Sequence, residues 1–429
     1  MEKFYLLVYG CQMNAAEGES VRETLLRENY EETSDMTKAD IILLHTCCVR
    51  EAAEEKVYGK IGEIKNIKRN NPSVILGVMG CMAQKESEKL FKRAPHIDFI
   101  LGTGKLGELI NTISAIKNER KHILKNELNS IESLPVSVNK TSVFVPIMTG
   151  CNNFCSYCIV PYVRGREKSR DVEDILNDVK NAVKNGAKEL TFLGQNVNSY
   201  APKDGADFSD LLKLADNAQG ISRIRFMTSH PKDLSDKLIE TMAKGKHIAR
   251  HIHLPMQHAS NRILKAMNRN YTKEHYLKLL QKLRENIPNI AVTTDLIVGF
   301  PTETEEDFAE LLDFVKIAKW DAAYTFIYSK RSGTPAANIA EQTEESVKHE
   351  RLNRLMETQN IIGRKINDAL KDAVLEVLVE GESKTKGVYQ GRSDTNKLVL
   401  FPHSGQQAGD IVNIRIKEPQ TWVLKGEIV

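Results

Sequence analysis

Short apolar runs alternate with longer segments of helical periodicity through roughly the first 115 residues of the chain. Each run is long enough for a buried strand, and each intervening segment repeats its apolar positions every three to four residues. This alternation is typical of a parallel α/β sheet. The pattern predicts strands at residues 4–8, 41–44, 74–78 and 99–101, and helices at residues 17–28, 51–68 and 86–92.

A second α/β series follows a polar stretch at residues 117–141, which we interpret as an interdomain linker. Six strand–helix units in succession indicate a full or partial (β/α)6 barrel, whose chemistry would lie at the carboxyl ends of its strands. A long charged helix at residues 344–370 ends the series. The predicted strands are residues 143–148, 190–193, 224–227, 252–254, 291–298 and 322–328, with helices at 171–185 and from 208 onward.

The end of the chain has a different pattern. Short β-rich runs are separated by Gly, Asn, Asp and Pro, which is typical of a small five-stranded antiparallel β-barrel. These runs are residues 374–379, 386–390, 398–401, 411–416 and 422–428. We therefore predict an α/β protein with an N-terminal parallel α/β domain (1–118), a central partial barrel (137–368) and a C-terminal β-barrel (371–429).

Composition argues against several classes of protein. Hydrophobic residues make up 41% and charged residues 27% of the chain, so neither a disordered nor a fibrous protein is indicated. The longest apolar runs, such as residues 41–44 and 296–298, are far shorter than the ~18 residues of a membrane-spanning helix, and no signal peptide is recognisable. We expect a cytoplasmic protein without a membrane partner. A net charge of +3 does not by itself predict a nucleic-acid partner.

Seven cysteines in a reducing compartment favour metal binding or redox chemistry over disulfides. Cys11, Cys47 and Cys81, here called the dispersed cysteines, each follow a predicted strand by a few residues. Because the carboxyl ends of parallel strands meet at one edge of a sheet, we expect these thiols to converge there. Cys48 adjoins Cys47, and neighbouring side chains on an extended segment point to opposite sides, so we predict a packing role for Cys48.

The other three, Cys151, Cys155 and Cys158, lie in one loop and are here called the compact cysteines. Three thiolates within eight residues can hold a cubane iron–sulfur cluster and leave its fourth iron without a protein ligand. An open iron can bind and activate a small molecule. A structural zinc site is the alternative, but zinc normally takes four ligands and no nearby His or Cys supplies a good fourth.

The compact loop also resembles a known motif. The spacing CxxxCxxC, with an aromatic residue before the last cysteine, is similar to the signature of the radical S-adenosylmethionine (SAM) superfamily. The chain resembles the methylthiotransferase family more closely, over essentially its whole length, and its terminal barrel resembles the RNA-binding TRAM domain. The runs that carry this resemblance are residues 9–14, 46–51, 80–84, 149–155, 194–200 and 294–304.

The resemblance implies an activity and its cofactors. In that family the compact cysteines would hold a 4Fe-4S cluster that binds SAM, and the dispersed cysteines would hold an auxiliary 4Fe-4S cluster. One SAM would be cleaved to a radical that removes a hydrogen atom, and a second SAM would methylate sulfur carried by the auxiliary cluster. The run Gln12-Met13-Asn14 favours the class that adds a methylthio group to C2 of N6-isopentenyl-adenosine next to the anticodon of tRNA.

Weaker signals concern contacts to SAM. Gln195, Gln257 and Asp295 are expected at strand ends, where they could hydrogen-bond the cofactor, although buried polar groups need partners in any protein. Gly299 would let the backbone approach the cofactor or would simply end a strand. Tyr157 would either cover the adenine of SAM or pack within the loop.

Local charge supports an RNA partner. Residues 164–170 contain four basic side chains and one acidic side chain directly after the compact loop, where a phosphate backbone would pass to present a base. A solvated charged loop is the alternative. In the terminal barrel, Tyr389, Phe401 and Trp422 would either stack on bases or pack in the core. The predicted RNA contacts, here called the basic strip, are Arg164, Arg166, Lys168 and Arg170.

Two other functions are compatible with the sequence. A methylthiotransferase of this family could act on threonylcarbamoyl-adenosine in tRNA or on a ribosomal protein. Alternatively, the chain could be a non-enzymatic iron–sulfur protein that binds RNA or carries electrons, although an electron carrier gains nothing from open irons. The expected partners are tRNA carrying isopentenyl-adenosine and an electron donor such as a flavodoxin or ferredoxin, with a monomer as the assumed assembly.

Overall fold

The N-terminal domain is a parallel α/β sheet, as predicted. The computed structural model describes residues 1–48, 51–128 and 140–429. The elements before residue 128 are β1 (Lys3–Val8), α1 (Gln12–Arg27), β2 (Glu31–Glu32), β3 (Ile41–Thr46), α2 (Glu51–Asn70), β4 (Ile75–Gly80), α3 (Cys81–Glu86), α4 (Glu88–Arg93), β5 (Phe99–Leu101), α5 (Leu109–Asn118) and β6 (Ile123–Lys125). In this part of the chain, as far as it is described, six strands pair in the order β2-β1-β3-β4-β5-β6.

This strand order brings the dispersed cysteines to one edge of the sheet. All residues of β3 and β4 are buried, which fits a sheet covered by helices on both faces. The order reverses between β1 and β3, and such a switch point at the carboxyl edge is where open α/β sheets bind ligands. Cys11 follows β1, Cys47 follows β3 directly and Cys81 follows β4 directly. The predicted convergence is confirmed.

Two features of this domain differ from the predictions. The helix predicted at 86–92 is divided, because Ser87 has a φ of +50° and separates α3 from α4. The first domain extends beyond residue 118, because β6 pairs with β5 inside the predicted linker. A strand of three half-buried residues has no periodicity by which a sequence could reveal it. Residues 49–50 of the family motif and 129–139 of the linker lie outside the described residues.

The central domain is the predicted partial (β/α)6 barrel. Its elements are β7 (Ser142–Pro146), β8 (Met148–Thr149), α6 (Val160–Arg164), β9 (Lys168–Ser169), α7 (Val172–Lys184), β10 (Glu189–Leu193), α8 (Phe208–Asp216), β11 (Arg223–Phe226), α9 (Asp236–Lys244), β12 (His251–His253), α10 (Asn261–Ala266), α11 (Lys273–Asn286), β13 (Ala291–Val298), α12 (Glu305–Ala318), β14 (Ala322–Ile327) and α13 (Glu345–Asp368). Strands β7, β10 and β11 form one parallel sheet and β12, β13 and β14 another. A parallel bridge between Ile224 and Ile248 joins the two.

The barrel is incomplete but its strand ends are placed as in a full barrel. Large apolar side chains such as Phe192, Phe226 and Trp320 are fully buried between the strands and the surrounding helices. The residues predicted at carboxyl ends are found there, each within a few positions of its strand: Cys151, Gln195, Ser229, Gln257 and Gly299.

The terminal domain is a closed β-barrel. Residues 371–429 are all described and contain β15 (Val374–Glu382), β16 (Val388–Ser393), β17 (Leu398–Pro402), β18 (Ile411–Pro419) and β19 (Leu424–Ile428). Four of its five strand pairs are antiparallel as predicted, but β17 and β19 run parallel, with Val399 opposite Leu424. Phe401 packs in the barrel core, whereas Trp422 is 59% exposed.

The terminal barrel contacts the central barrel at the amino end of β11. Arg223 donates to the backbone carbonyl of Arg392 at 2.8 Å, and Arg225 donates to that of Ser393 at 2.7 Å. The residues after the carboxyl end of β11 face the cavity described below, so the terminal barrel and that cavity lie toward opposite ends of this strand. Within the part of the chain that the structure describes, no helix is both long and apolar enough to span a bilayer.

Candidate active site

Both groups of cysteines line one cavity. It lies where the carboxyl ends of the N-terminal sheet and of the central barrel face each other, and its volume is about 970 Å³. All six dispersed and compact cysteines contribute to its wall, together with polar and apolar side chains of both domains. Thiols that are up to 147 positions apart in the sequence therefore face a common space.

Two glycines allow the dispersed cysteines to approach one another. Gly10 has a φ of +117°, and a Cβ atom there would lie 2.4 Å from the Cβ of Cys47. Gly80 has a φ of +91°, and a Cβ atom there would lie 2.5 Å from the carbonyl oxygen of Thr46. Since any larger residue would displace the strand ends, the glycine before each of Cys11 and Cys81 is required by close packing.

Asn14 ties two of the strand ends together. Its side chain is fully buried, and its Nδ2 donates to the carbonyl of Thr46 at 2.9 Å. Its Oδ1 accepts a weak hydrogen bond from the thiol of Cys11 at 3.5 Å. Asn14 thus links the start of α1 to the end of β3, which positions Cys11 beside Cys47.

The dispersed thiols share hydrogen bonds that stabilise their thiolate forms. A hydrogen bond from Cys47 lowers the pKa of Cys11 to about 6, against the opposing effect of burial. A hydrogen bond from Cys48 lowers the pKa of Cys81 to about 7. Arg164 adds an attractive charge to both thiolates. These interactions favour the thiolate forms of Cys11 and Cys81 at neutral pH even without metal.

Cys48 does more than fill space. It packs in the apolar cluster of the N-terminal domain, as predicted, but it also lines the cavity and donates to the thiolate of Cys81, and this hydrogen bond raises its own pKa. The prediction that Cys47 and Cys48 point to opposite sides is wrong. Both residues follow the end of β3, where the alternation of an extended strand no longer holds.

A buried ion pair connects the two domains beside the dispersed cysteines. Arg164, at the end of α6, donates through both terminal nitrogens to the carboxylate of Glu17 on α1, at 2.6 and 3.0 Å. The ring of His45 lies 3.0 Å from the same carboxylate. Burial alone would raise the pKa of Glu17, but Arg164 and His45 outweigh it and hold the pKa at about 2. We call this group the Arg164 clamp.

The compact loop is closed at its base by a short hairpin. Strands β8 and β9 pair antiparallel on either side of it, and the backbone N–H of Cys151 donates to the carbonyl of Gly165 at 3.1 Å. Gly150 has a φ of +82°, and a Cβ atom there would lie 2.1 Å from the carbonyl oxygen of Arg166. Its N–H donates to Oε1 of Gln195 at 2.6 Å.

The far side of the loop is fixed by the segment after α10. The N–H of Ser156 donates to the carbonyl of Met267 at 3.0 Å, and Nδ2 of Asn268 donates to the carbonyl of Phe154 at 3.0 Å. Phe154 has a φ of +47°, which turns the chain between the first two compact cysteines. Nη1 of Arg269 donates to Sγ of Cys155 at 3.4 Å.

The compact thiols differ electrostatically from the dispersed ones. Burial raises the pKa of Cys158 to about 12, with the neighbouring Cys155 adding to the effect. Burial also raises the pKa of Cys151. Desolvation dominates at both of these residues, so Cys151 and Cys158 are protonated at neutral pH in the metal-free loop.

Four of the five predicted SAM contacts line the cavity, namely Tyr157, Gln195, Gln257 and Asp295. Gln195 also accepts from Gly150, so one of its roles is to fix the start of the compact loop. Gly299 is not among the lining residues; its φ is +67°, and a Cβ atom there would lie 2.3 Å from the side chain of Lys348. Its requirement for glycine comes from backbone conformation and packing against α13.

The basic strip is divided between interior and surface. Arg164 and Arg170 are 8% and 7% exposed, and their guanidinium groups bind Glu17 and Asp178, so the predicted phosphate contact is wrong for both. Arg166 and Lys168 are exposed. Arg166 lies over the ring of Phe154, 4.3 Å from its centroid. The surface beside the compact loop thus presents two of the four predicted cations.

Sequence reasoning missed Arg269, His230 and the Arg164 clamp. Arg269 lies three positions after the end of α10, in a segment without periodicity, and only the fold brings it to Cys155. His230 follows β11, and its ring lines the cavity and packs edge-on against Tyr271 at 5.6 Å. Burial lowers the pKa of His230 to about 2, so this ring is neutral. A lone basic residue after a strand or helix gives no signal of such a role.

Comparison with known proteins agrees with this architecture. Residues 3–102 match the family described as Uncharacterized protein family UPF0004, residues 145–315 the Radical SAM superfamily, and residues 371–429 the TRAM domain. A tRNA-2-methylthio-N(6)-dimethylallyladenosine synthase of Desulforamulus reducens is 49% identical, over 100% of this chain and 96% of that relative. The synthase of the same name from Clostridium tetani is 48% identical, over 99% and 96%. The chain belongs to this family of synthases.

Solved structures share the fold at low identity. The radical S-adenosylmethionine methyltransferase TsrM from Kitasatospora setae, with cobalamin and a [4Fe-4S] cluster bound, aligns with a TM-score of 0.56 and 14% identity, over 91% of this chain and 81% of that chain. At this identity the likeness concerns only the fold.

The residues of this synthase-family chain fit the cofactors expected from the sequence. Cubane clusters are held by thiolate sulfurs, and each cysteine group offers three thiols to the cavity, which would leave one iron open in each cluster. The volume of about 970 Å³ leaves room beside the thiols for a cofactor the size of SAM. The donor set therefore fits two 4Fe-4S clusters with SAM between or beside them.

Proposed function

We propose that this chain adds a methylthio group to C2 of N6-isopentenyl-adenosine (dimethylallyl-adenosine) next to the anticodon of tRNA, using SAM and two 4Fe-4S clusters. One observation carries the proposal: two sets of three thiols, one from each domain, face the same cavity. A reaction that needs hydrogen-atom removal at one centre and sulfur delivery from another requires both centres to reach the same carbon atom. A shared cavity supports that requirement.

The adenine C2–H bond explains why such cofactors are needed. It is not acidic enough for a side-chain base, so general acid–base catalysis, typically worth about 10² to 10⁴-fold, does not activate it. When bound, a reduced cluster and SAM supply a radical that takes the hydrogen atom, and an auxiliary cluster supplies the sulfur. The chain contributes orientation: the hairpin β8–β9 fixes one thiol group, and Gly10, Asn14 and Gly80 fix the other.

The polar wall of the cavity supports SAM binding. Gln257 follows β12 and Asp295 lies within the neighbouring β13, and the N–H of Gln257 donates to the carbonyl of Asp295 at 2.8 Å. The carboxylate of Asp295 is held 3.4 Å from the ring of His253. Tyr157, within the compact loop, offers an aromatic face to the same space. We assign Gln257, Asp295 and Tyr157, together with Gln195, to cofactor positioning.

The tRNA is the proposed substrate and partner. Arg166 and Lys168 are exposed beside the compact loop and suit contact with a phosphate backbone. The exposed Trp422 suits stacking on a base, whereas Phe401 is used in the barrel core. Because the terminal barrel contacts the amino end of β11, a tRNA that reached both surfaces would extend along the side of the central barrel.

The proposal extends to the setting of the reaction. Reduction of the clusters needs a one-electron donor, for which a flavodoxin or ferredoxin is suitable, and free thiols with an RNA substrate suit the cytoplasm. We propose a monomer as the working unit, since both thiol groups of the cavity come from the same chain.

The test uses anaerobically reconstituted, reduced protein with SAM and tRNA carrying N6-isopentenyl-adenosine. We expect a methylthio adduct of that nucleoside by mass spectrometry, together with 5′-deoxyadenosine. The matched controls are the same tRNA with unmodified adenosine and a tRNA with threonylcarbamoyl-adenosine. A product on the threonylcarbamoyl substrate would redirect the assignment, and a complete absence of deoxyadenosine in every mixture would place the chain in the non-enzymatic class.

A further inference from the structure

Arg269 is a buried cation directed at a cysteine of the compact loop. It is 7% exposed and lines the shared cavity. Nη1 donates to Sγ of Cys155 at 3.4 Å, Nε donates to the hydroxyl of Tyr271 at 2.9 Å, and Nη2 donates to the carbonyl of Pro255 at 2.9 Å. Each of the three guanidinium nitrogens therefore donates a hydrogen bond, and one of the three acceptors is sulfur.

The orientation of Arg269 is fixed by its surroundings. Its backbone N–H donates to the carbonyl of Leu264, which anchors it to α10. The hydroxyl of Tyr271 accepts from Arg269 and donates to the carbonyl of Met256 at 2.8 Å, so the tyrosine cannot easily turn away. A planar guanidinium held at three points loses little additional freedom when the sulfur becomes a metal ligand.

The charge of Arg269 has no carboxylate partner. Among the described residues, it forms no salt bridge with an Asp or Glu, unlike Arg164 and Arg170 of the basic strip. A buried cation needs a compensating charge, and the group it contacts here is Sγ of Cys155, which would be a thiolate once it held a cluster. The neighbouring His230 is neutral and adds no second cation.

We propose that Arg269 is a positioning residue that makes the cluster of the compact cysteines easier to reduce. The proposal rests on the assignment of that cluster under the proposed function. Hydrogen bonds to cluster sulfurs and a nearby positive charge raise the reduction potential of a cluster, because both stabilise the added electron. The N–H···S bond to Cys155 and the uncompensated charge act in the same direction. Electron entry, which must come before SAM cleavage, is the step that Arg269 assists.

The test measures potential, not turnover. The full chain carrying Cys11→Ala, Cys47→Ala and Cys81→Ala holds only the compact cluster, whose midpoint potential is read by an EPR-monitored redox titration without tRNA. We expect Arg269→Gln to move the midpoint to more negative potential by the equivalent of about a tenfold change in the reduction equilibrium, which is about 59 mV for one electron. Arg269→Lys keeps the positive charge but loses the planar guanidinium group, so we expect a smaller shift of the midpoint potential.

Lys265→Gln on α10 is the matched control, because it removes the same charge from an exposed position of the helix that precedes Arg269. An unchanged midpoint in Arg269→Gln with full iron content would overturn the proposal. If Arg269→Gln does not retain the cluster, the Lys variant decides: a shifted midpoint supports the proposal, while a wild-type midpoint, or cluster loss in both variants, assigns Arg269 a purely structural role. Failure to methylthiolate tRNA would leave this measurement unaffected.

Discussion

The two cysteine sites of this protein offer the same ligands and are built in opposite ways. The compact cysteines lie within eight residues of one loop, and hydrogen bonds to the neighbouring segments of the central domain hold that loop in place. The dispersed cysteines come from the ends of three parallel strands, and only the strand order β1-β3-β4 brings them together. A site within one loop is defined by the spacing of its residues, whereas a site at strand ends depends on the order of the strands in the whole sheet.

The electrostatic difference follows from this construction. At the strand ends, thiol-to-thiol hydrogen bonds lower the pKa of Cys11 to about 6 and that of Cys81 to about 7. In the loop, burial raises the pKa of Cys158 to about 12. Since a cluster binds thiolates, its assembly in the loop must release a proton from Cys158, whereas Cys11 is already mostly ionised at neutral pH.

The largest effects are expected when either group of three cysteines is replaced. Replacing the three compact cysteines by Ala should abolish SAM cleavage, because no open iron would remain to bind SAM. Replacing the three dispersed cysteines should abolish methylthio transfer but retain 5′-deoxyadenosine formation. Iron analysis should show about half of the wild-type content in each variant. Equal loss of cleavage in both variants would mean that the two sites do not have separate roles.

The next largest effect is expected on stability, when the Arg164 clamp is broken. Arg164→Gln would leave Glu17 buried beside His45 without its cation, so we expect the free energy of unfolding at pH 7 to fall by about 3 kcal/mol. The pKa of Glu17 is lowered in the folded state, so its contribution is present at neutral pH and disappears as the pH falls from about 4.5 toward 2. The variant should lack that pH dependence.

The matched control for the clamp is Arg22→Gln on α1, which removes a partly exposed ion pair with Glu19 and Glu32. We expect a loss of at most about 1 kcal/mol. Urea denaturation of the full chain followed by circular dichroism provides both values. A similar loss in the two variants would show that burial of the clamp does not matter for stability.

The third prediction concerns thiol reactivity in metal-free, reduced protein. At pH 7, Cys11 should react with iodoacetamide more than ten times faster than Cys158, because the thiolate is the nucleophile. The rate at Cys11 should fall as the pH drops through about 6. Mass spectrometry of peptides after short exposure at pH 5 to 8 provides the rates. Cys48, whose pKa is raised, serves as the unreactive control within the same site.

The smallest expected effect concerns the exposed part of the basic strip. The double variant Arg166→Gln/Lys168→Gln should weaken tRNA binding and reduce the salt dependence of affinity by roughly 0.7 to 0.9 in slope per lost contact. Lys316→Gln/Lys282→Gln, on α12 and α11, provides the charge-matched control. Filter binding at several salt concentrations gives the slopes, and an unchanged slope in the first variant would move the RNA contact to the terminal barrel.

Much of the fold could be predicted because burial imposes periodicity. The strands β3 and β4 are short apolar runs and β13 is rich in β-branched residues, and the predicted bounds of all three agree with the structure within a few residues. Prediction failed where the physical cause is not periodic. The edge strand β6 is too short, and the break at Ser87 depends on one backbone angle.

The sequence by itself determined which residues could hold metal, since the spacing of the compact cysteines and the strand-end placement of the dispersed cysteines are both readable from the chain. Tertiary structure alone decided how each site is tuned. Arg164 and Arg269 look alike in sequence, as single cations near cysteines, yet one is neutralised by Glu17 across a domain interface and the other contacts Sγ of Cys155. The reason is physical: ligand identity is a local property, whereas charge compensation and desolvation depend on every element that packs around the group.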